Sequence, residues 1–133
     1  MAELFSSEWM QVFMEEWNAE PELSDALANI GFNSIISYGL LDEENPRGHI
    51  VVEEGKVVSA GGDEKEMSWD VRASMETWLS WMEKPPGMMK LGMAFTSGKM
   101  QFKTGDYTAM VKDPRMAGPF IKSFGVMGRV DKK

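Results

Sequence analysis

A chain of 133 residues with no cysteine and a net charge of −7 fits one domain built on a hydrophobic core, without disulfides or thiolate metal sites. Twenty-one acidic against fourteen basic residues make nucleic acid a poor partner, and on average they set the surface against anionic membranes. The absence of cysteine fits a reducing, cytoplasmic setting, MAELFSSEW lacks the regions of a signal peptide, and no apolar run approaches the roughly 20 residues of a membrane span, so no stable membrane insertion is expected.

In chain order, residues 6–18 (SSEWMQVFMEEWN) predict a helix. Ser6 or Ser7 caps it, Glu8 favours the first turn, and Trp9, Phe13 and Trp17 recur at every fourth residue, widened by Met10 and Met14. Pro21 starts a second helix with Leu23, Ala26, Leu27 and Ile30 on one face and Gly31 as its stop. From residue 33 β-branched residues take over: NSIISYGLLD, the loop ENPRG, and GHIVVEEGKVVSAGG predict a strand and then a hairpin turning at Glu54-Gly55. MSWDVRA alternates Met67, Trp69 and Val71 against Ser68, Asp70 and Arg72, which predicts a fourth strand of an antiparallel meander with one wet face.

Ser74 then caps a helix with Met75, Trp78, Leu79 and Met82 on one side, ended by Pro85-Pro86-Gly87. Residues 88–97 predict a short apolar helix, weakened by Gly92. GKMQFKT alternates again, with Met100 and Phe102 opposite Lys99, Gln101 and Lys103, and is the fifth strand. The tail is helical in pieces, restarted at Asp113-Pro114 and limited by Pro119. Helices, a run of strands, a helix, a strand and terminal helices predict an α+β fold, a mainly antiparallel sheet covered by helices. No repeat, low-complexity segment or linker divides residues 1–133.

Catalytic patterns are missing. His49 is the single histidine, and without cysteine it cannot build a zinc site of usual composition. Its expected role is structural or solvent-facing. The acids of Asp42-Glu43-Glu44, Glu53-Glu54 and Asp63-Glu64-Lys65-Glu66 fall at turns and read as solvated charge. Nucleophile elbows, phosphate loops, dinucleotide fingerprints and calcium loops are absent, so no metal or cofactor is expected.

The composition is unusual in its thirteen methionines, five tryptophans and seven phenylalanines. Methionine fills irregular or changing spaces, so it suits either a soft core or an adaptable apolar cavity. The segment WLSWMEK, a Pro-Gly break and MMKLGMAFTSGKMQFKTGDYTAMVK together resemble the sterol carrier protein 2 family. The matching positions are Met89, Ala94, Phe95, Gly98, Lys99, Met100, Phe102, Gly105 and Asp106. FSSEW, Asn18 at the end of the first helix and the proline-started second helix are similar to small stand-alone bacterial members. Gly92 and Pro119 depart from the pattern, and the VDKK ending is no peroxisomal address.

The resemblance implies a five-stranded sheet with helices on one side, enclosing an apolar tunnel for fatty acids, acyl-CoA or sterols. It implies a non-catalytic lipid carrier, and the residues expected to line the tunnel are Trp78, Trp81, Met82, Met89, Met93, Phe95, Met100, Phe102, Met110, Phe120, Ile121 and Phe124. Arg72, Lys90, Lys99 and Lys103 are the basic candidates for a carboxylate head. A dry ligand cavity of about 300 Å³ would cost roughly 7 kcal/mol, so either a guest fills it or the helices close on it. Two other readings stand beside this one. One is a protein–protein module, such as a homodimer, using a Met/Trp surface; the other is an enzyme built on His49 or Asp106.

Overall fold

A computed structural model describes residues 3–61, 69–105 and 107–130. Its helices start where the sequence supplies caps. Ser6 Oγ accepts from the Trp9 amide at 3.2 Å to open α1 (Ser7–Asn18), which buries Trp9, Met10, Phe13 and Trp17. Pro21 is the first residue of α2 (Pro21–Ala28), and Ser74 accepts from the Thr77 amide at 3.1 Å to open α3 (Met75–Glu83). Helix α4 (Met88–Ser97) runs straight through Gly92 and ends at Gly98. Two further helices, α5 (Tyr107–Lys112) and α6 (Pro114–Val130), restart at Pro114 as expected.

Five strands follow from the β-branched segments: β1 (Ser34–Leu40), β2 (Gly48–Glu53), β3 (Lys56–Gly61), β4 (Trp69–Ala73) and β5 (Met100–Thr104). Glu54 and Gly55, both at positive φ (49° and 83°), close the β2–β3 hairpin in the backbone region that two-residue hairpin turns require. The sheet order is β3-β2-β1-β4-β5, with β1 and β4 parallel and the other pairs antiparallel. The expected simple meander is thus corrected at β4, which pairs with β1 and not with its predecessor β3. A physical reason lies on β3 itself. Asn18 of α1 donates to the Val57 carbonyl and accepts from the Val57 amide, both at 2.8 Å, and Gln11 donates to the Ala60 carbonyl at 2.6 Å. Side chains of α1 therefore cap the outer edge of β3, while the edge of β1 stays open to a partner.

Register separates two faces. Ile36, Tyr38 and Leu40 sit beside Trp69, Val71 and Ala73, and Val71 and Ala73 pair with Phe102 and Met100. This face meets the helices. On the opposite face Ser37 lies between His49 and Asp70, and Gly39 beside Arg72. The wet face expected for β4 is not wet: Asp70 and Arg72 are 4% and 2% exposed. Arg72 Nε and Nη2 donate to the Asp70 carboxylate at 2.6 and 3.0 Å, and the guanidinium also reaches the carbonyls of Leu40, Glu43 and Glu44. The loop after β1 folds over this face and supplies the acceptors that make burial of the charge tolerable. Met67 and Ser68 of the same segment lie outside the described residues.

Pro119 does not divide the C-terminal helix either. It sits inside α6, where it has no N–H for the Arg115 carbonyl, a defect worth about 3 kcal/mol in a helix interior. The burial of Ala117, Pro119, Phe124, Val126, Met127 and Val130 along one continuous helix offsets it.

Candidate functional site

Between the apolar sheet face and the helices lies a hollow of about 40 Å³. Trp17 closes it from α1, Leu23 and Leu27 from α2, and Phe32 from the turn after α2. Ile36, Tyr38, Trp69 and Val71 form its floor on β1 and β4, and Met110, Met116, Pro119, Phe120 and Ser123 form the wall on α5 and α6. No charged side chain lines it. Tyr38 and Ser123 are the hydroxyl-bearing residues of its wall; Ser123 Oγ donates to the Phe120 carbonyl. Burial pushes the Tyr38 phenol far above its ordinary range, so it is neutral at any physiological pH. Trp17 Nε1 is satisfied by the Gly55 carbonyl at 2.9 Å, which pins this wall to the hairpin turn.

The volume is well short of the expected cavity of about 300 Å³. At 40 Å³ the hollow has room for water-sized guests and not for an acyl chain. Its cost as a void is about 1 kcal/mol, so the protein is self-supporting in this form.

The residues expected to line a tunnel divide into four groups. Met110 and Phe120 are in the wall of the hollow. Trp78, Trp81, Met82, Met100 and Phe124 are core residues outside that wall; Phe124 stacks on Trp78 and meets Trp81 edge-on, at 6.1 and 5.3 Å between ring centroids. Phe95, Phe102 and Ile121 pack half-buried against the core. Met89 and Met93 face outward, 80% and 65% exposed. Of the basic candidates, Arg72 is occupied by Asp70 and three carbonyls, and Lys103 is exposed on β5. Lys90 and Lys99 line a different depression, an open groove of about 680 Å³ between α3 and α4, together with Ser74, Glu76, Thr77, Ser80, Trp81, Lys84, Met93, Ala94 and Ser97.

Sequence reading missed most of the wall. Trp17, Leu23, Leu27, Trp69 and Val71 belong to apolar stripes it identified and Ile36 to the β-branched strand NSIISYGLLD, but periodicity assigns a side to a residue and not a neighbour across the core. The clearest available signal was Pro119, a proline in a buried helical stretch beside the aromatic Phe120.

His49 is buried on β2 and is not solvent-facing, while Asp106 and the acids from Asp63 to Glu66 lie outside the described residues. Among the described residues no group of three histidine, cysteine, aspartate or glutamate side chains is placed to hold a metal ion, and no helix is long and apolar enough to cross a membrane.

No protein-family model matches the chain, and no curated protein matches it by sequence. Its structure is similar to a crystal structure of sterol carrier protein 2, with a TM-score of 0.74, 17% identity, and coverage of 95% of this chain and 98% of the other. It is also similar to a conserved hypothetical protein of Thermus thermophilus (TM-score 0.67, 18% identity, 96% and 90% covered). A third likeness is to the UbiJ-SCP2 ubiquinone synthesis protein, with a TM-score of 0.56, 13% identity and 93% and 88% covered. The chain therefore has the sterol carrier protein 2 fold, α+β with a five-stranded, mostly antiparallel open sheet. Identities this low speak for the fold and leave function to the site.

Proposed function

We propose that this protein is a non-catalytic binder and carrier of lipids, taking a fatty acyl or similar hydrocarbon chain between the sheet and α6. The observation that supports this reading is a hollow whose wall is entirely uncharged, set between the apolar sheet face and the helices that pack on it. Met110, Met116 and Phe120 are the wall residues proposed to move and to contact the guest, with Trp17 and Trp69 as its aromatic neighbours. Any charged head stays outside, because nothing in the wall would pair with it.

Binding then requires the wall to open. Each methylene buried contributes about 0.8 kcal/mol, so a sixteen-carbon tail gains roughly 12 kcal/mol gross. Association costs about 4–15 kcal/mol before any cost of opening, so at most about 8 kcal/mol remains and micromolar Kd is the tightest binding expected, with weak discrimination among chain lengths.

Titration with palmitate, followed by tryptophan emission, tests this. Saturable one-to-one quenching through Trp17 and Trp69 is the expected result. A folded protein that shows no saturation up to the solubility limit of the fatty acid sinks the reading.

A further inference from the structure

The described residues have five large hydrophobic side chains that are exposed, and four of them lie on α3 and α4: Leu79 at 47%, Met88 at 42%, Met89 at 80% and Met93 at 65%. Three lysines, Lys84, Lys90 and Lys99, line the groove between these two helices, against the single acid Glu76. None of the three forms an ion pair with a described carboxylate. The groove thus carries +2 in a chain of −7, which leaves −9 on the remainder. Met93 shares the groove with the three lysines, and Leu79, Met88 and Met89 are exposed on the same two helices. Cationic and apolar side chains therefore come together where the local charge is opposite to that of the chain.

We propose that this α3–α4 face docks the protein peripherally on an anionic lipid bilayer. The lysines would meet phosphate and carboxylate head groups, while Met88, Met89 and Met93 enter the boundary between head groups and acyl chains. Methionine suits that boundary, since its unbranched, polarizable side chain adapts to a disordered surface. An acidic protein partner would satisfy the lysines but would also need an apolar ridge shaped to the methionines; a bilayer offers charge and hydrocarbon together without a shape requirement. The negative remainder of the chain is screened beyond a Debye length of about 8 Å, so charge contacts at the face outweigh the molecule's average repulsion.

The face is also connected to the hollow. Phe95 of α4 lies 6.3 Å from Phe102 between ring centroids, and Phe102 lies 6.0 Å from Phe120 in the wall. Docking does not depend on the lipid-carrier reading, because it is measured without any fatty acid.

The test is cosedimentation of the full chain with vesicles of phosphatidylcholine, with or without phosphatidylglycerol. Each lysine near the surface is worth about fivefold in partitioning, so Lys84→Gln/Lys90→Gln/Lys99→Gln is expected to lower binding to the anionic vesicles by at least about tenfold. Met89→Ser/Met93→Ser is expected to weaken it as well, whereas Lys56→Gln, on a strand at the opposite edge of the sheet from β5, leaves it unchanged. Circular dichroism of each variant separates lost docking from lost folding. Equal partitioning onto neutral and anionic vesicles, or a folded triple lysine variant that still sediments like the parent, overturns the proposal. If palmitate titration in solution succeeds while vesicle binding fails, the docking face is wrong and the carrier reading stands.

Discussion

If the proposed lipid-carrier function holds, Phe120→Ala should make the protein less stable and its binding of palmitate tighter. The ring lies in the wall of the hollow, with its centroid 5.1 Å from Phe124 and 6.0 Å from Phe102. Truncating a fully buried phenylalanine costs about 3–5 kcal/mol, and the partial exposure of Phe120 puts the expected loss at about 2–3 kcal/mol. Part of that loss is the void left behind, and a guest that fills the void recovers it. If half is recoverable, roughly 1–1.5 kcal/mol returns on binding, which is about five- to tenfold in Kd. Urea unfolding gives the first number and palmitate titration the second. A variant destabilised as expected but binding palmitate no better than the parent would refute the reasoning, because the guest would then not occupy the space beside Phe120.

Two further expectations follow from buried polar groups. Arg72→Met leaves the Asp70 carboxylate buried without its partner and strips donors from the Leu40, Glu43 and Glu44 carbonyls, so urea unfolding should show a loss of about 3–5 kcal/mol, with part regained in Asp70→Asn/Arg72→Met. Tyr38 and Tyr107 are the two tyrosines of the chain, and burial raises the pKa of both. Above about pH 10 the unfolded chain releases phenolic protons that the folded one holds, so stability present below that pH is lost as pH rises further. In Tyr107→Phe, where Tyr38 is the one phenol left, phenolate absorbance should therefore rise together with the loss of circular dichroism and not before it, and Tyr38→Phe should flatten the alkaline limb.

The sequence exposes most of the local structure and less of the assembly. Caps at Ser6 and Ser74, the Glu54-Gly55 turn and the Asp113-Pro114 restart are local events, and each sits where the sequence places it. Gly98 and Gly105 both adopt positive φ (83° and 101°), which answers for their place in the apolar GKMQFKTGD segment: the chain turns there in a conformation that side chains disfavour. What alternation could not supply is the identity of the neighbours. Asp70 and Arg72 read as wet because polar residues at every second strand position usually are; a loop some 30 residues away in sequence covers them. The parallel pairing of β4 with β1 depends likewise on α1 having taken the edge of β3. In place of the expected tunnel there is a small hollow, because most of the methionines do other work.

The placement of methionine bears on how a hollow of 40 Å³ could serve the proposed lipid binding. Met10, Met82, Met100 and Met127 fill the core, and Met88, Met89 and Met93 lie at the surface. Met110 and Met116 stand on either side of the junction between α5 and α6, and both line the hollow. The other boundaries resist displacement. Backbone hydrogen bonds hold β1 and β4 in the sheet, and α1 is fixed to β3 through Asn18 and to the hairpin through Trp17. Helix α6 is tied to α1 and to the start of α2 by the ion pairs of Arg129 with Glu16 and Glu20 and of Lys122 with Glu22. At the hollow itself, though, α5 and α6 present only uncharged side chains, whose packing can be exchanged for packing against a guest. A guest entering here would therefore displace the α5–α6 wall and leave the sheet where it is. Methionines at that junction can repack against either the floor or a hydrocarbon chain, which branched residues of fixed shape would do less well.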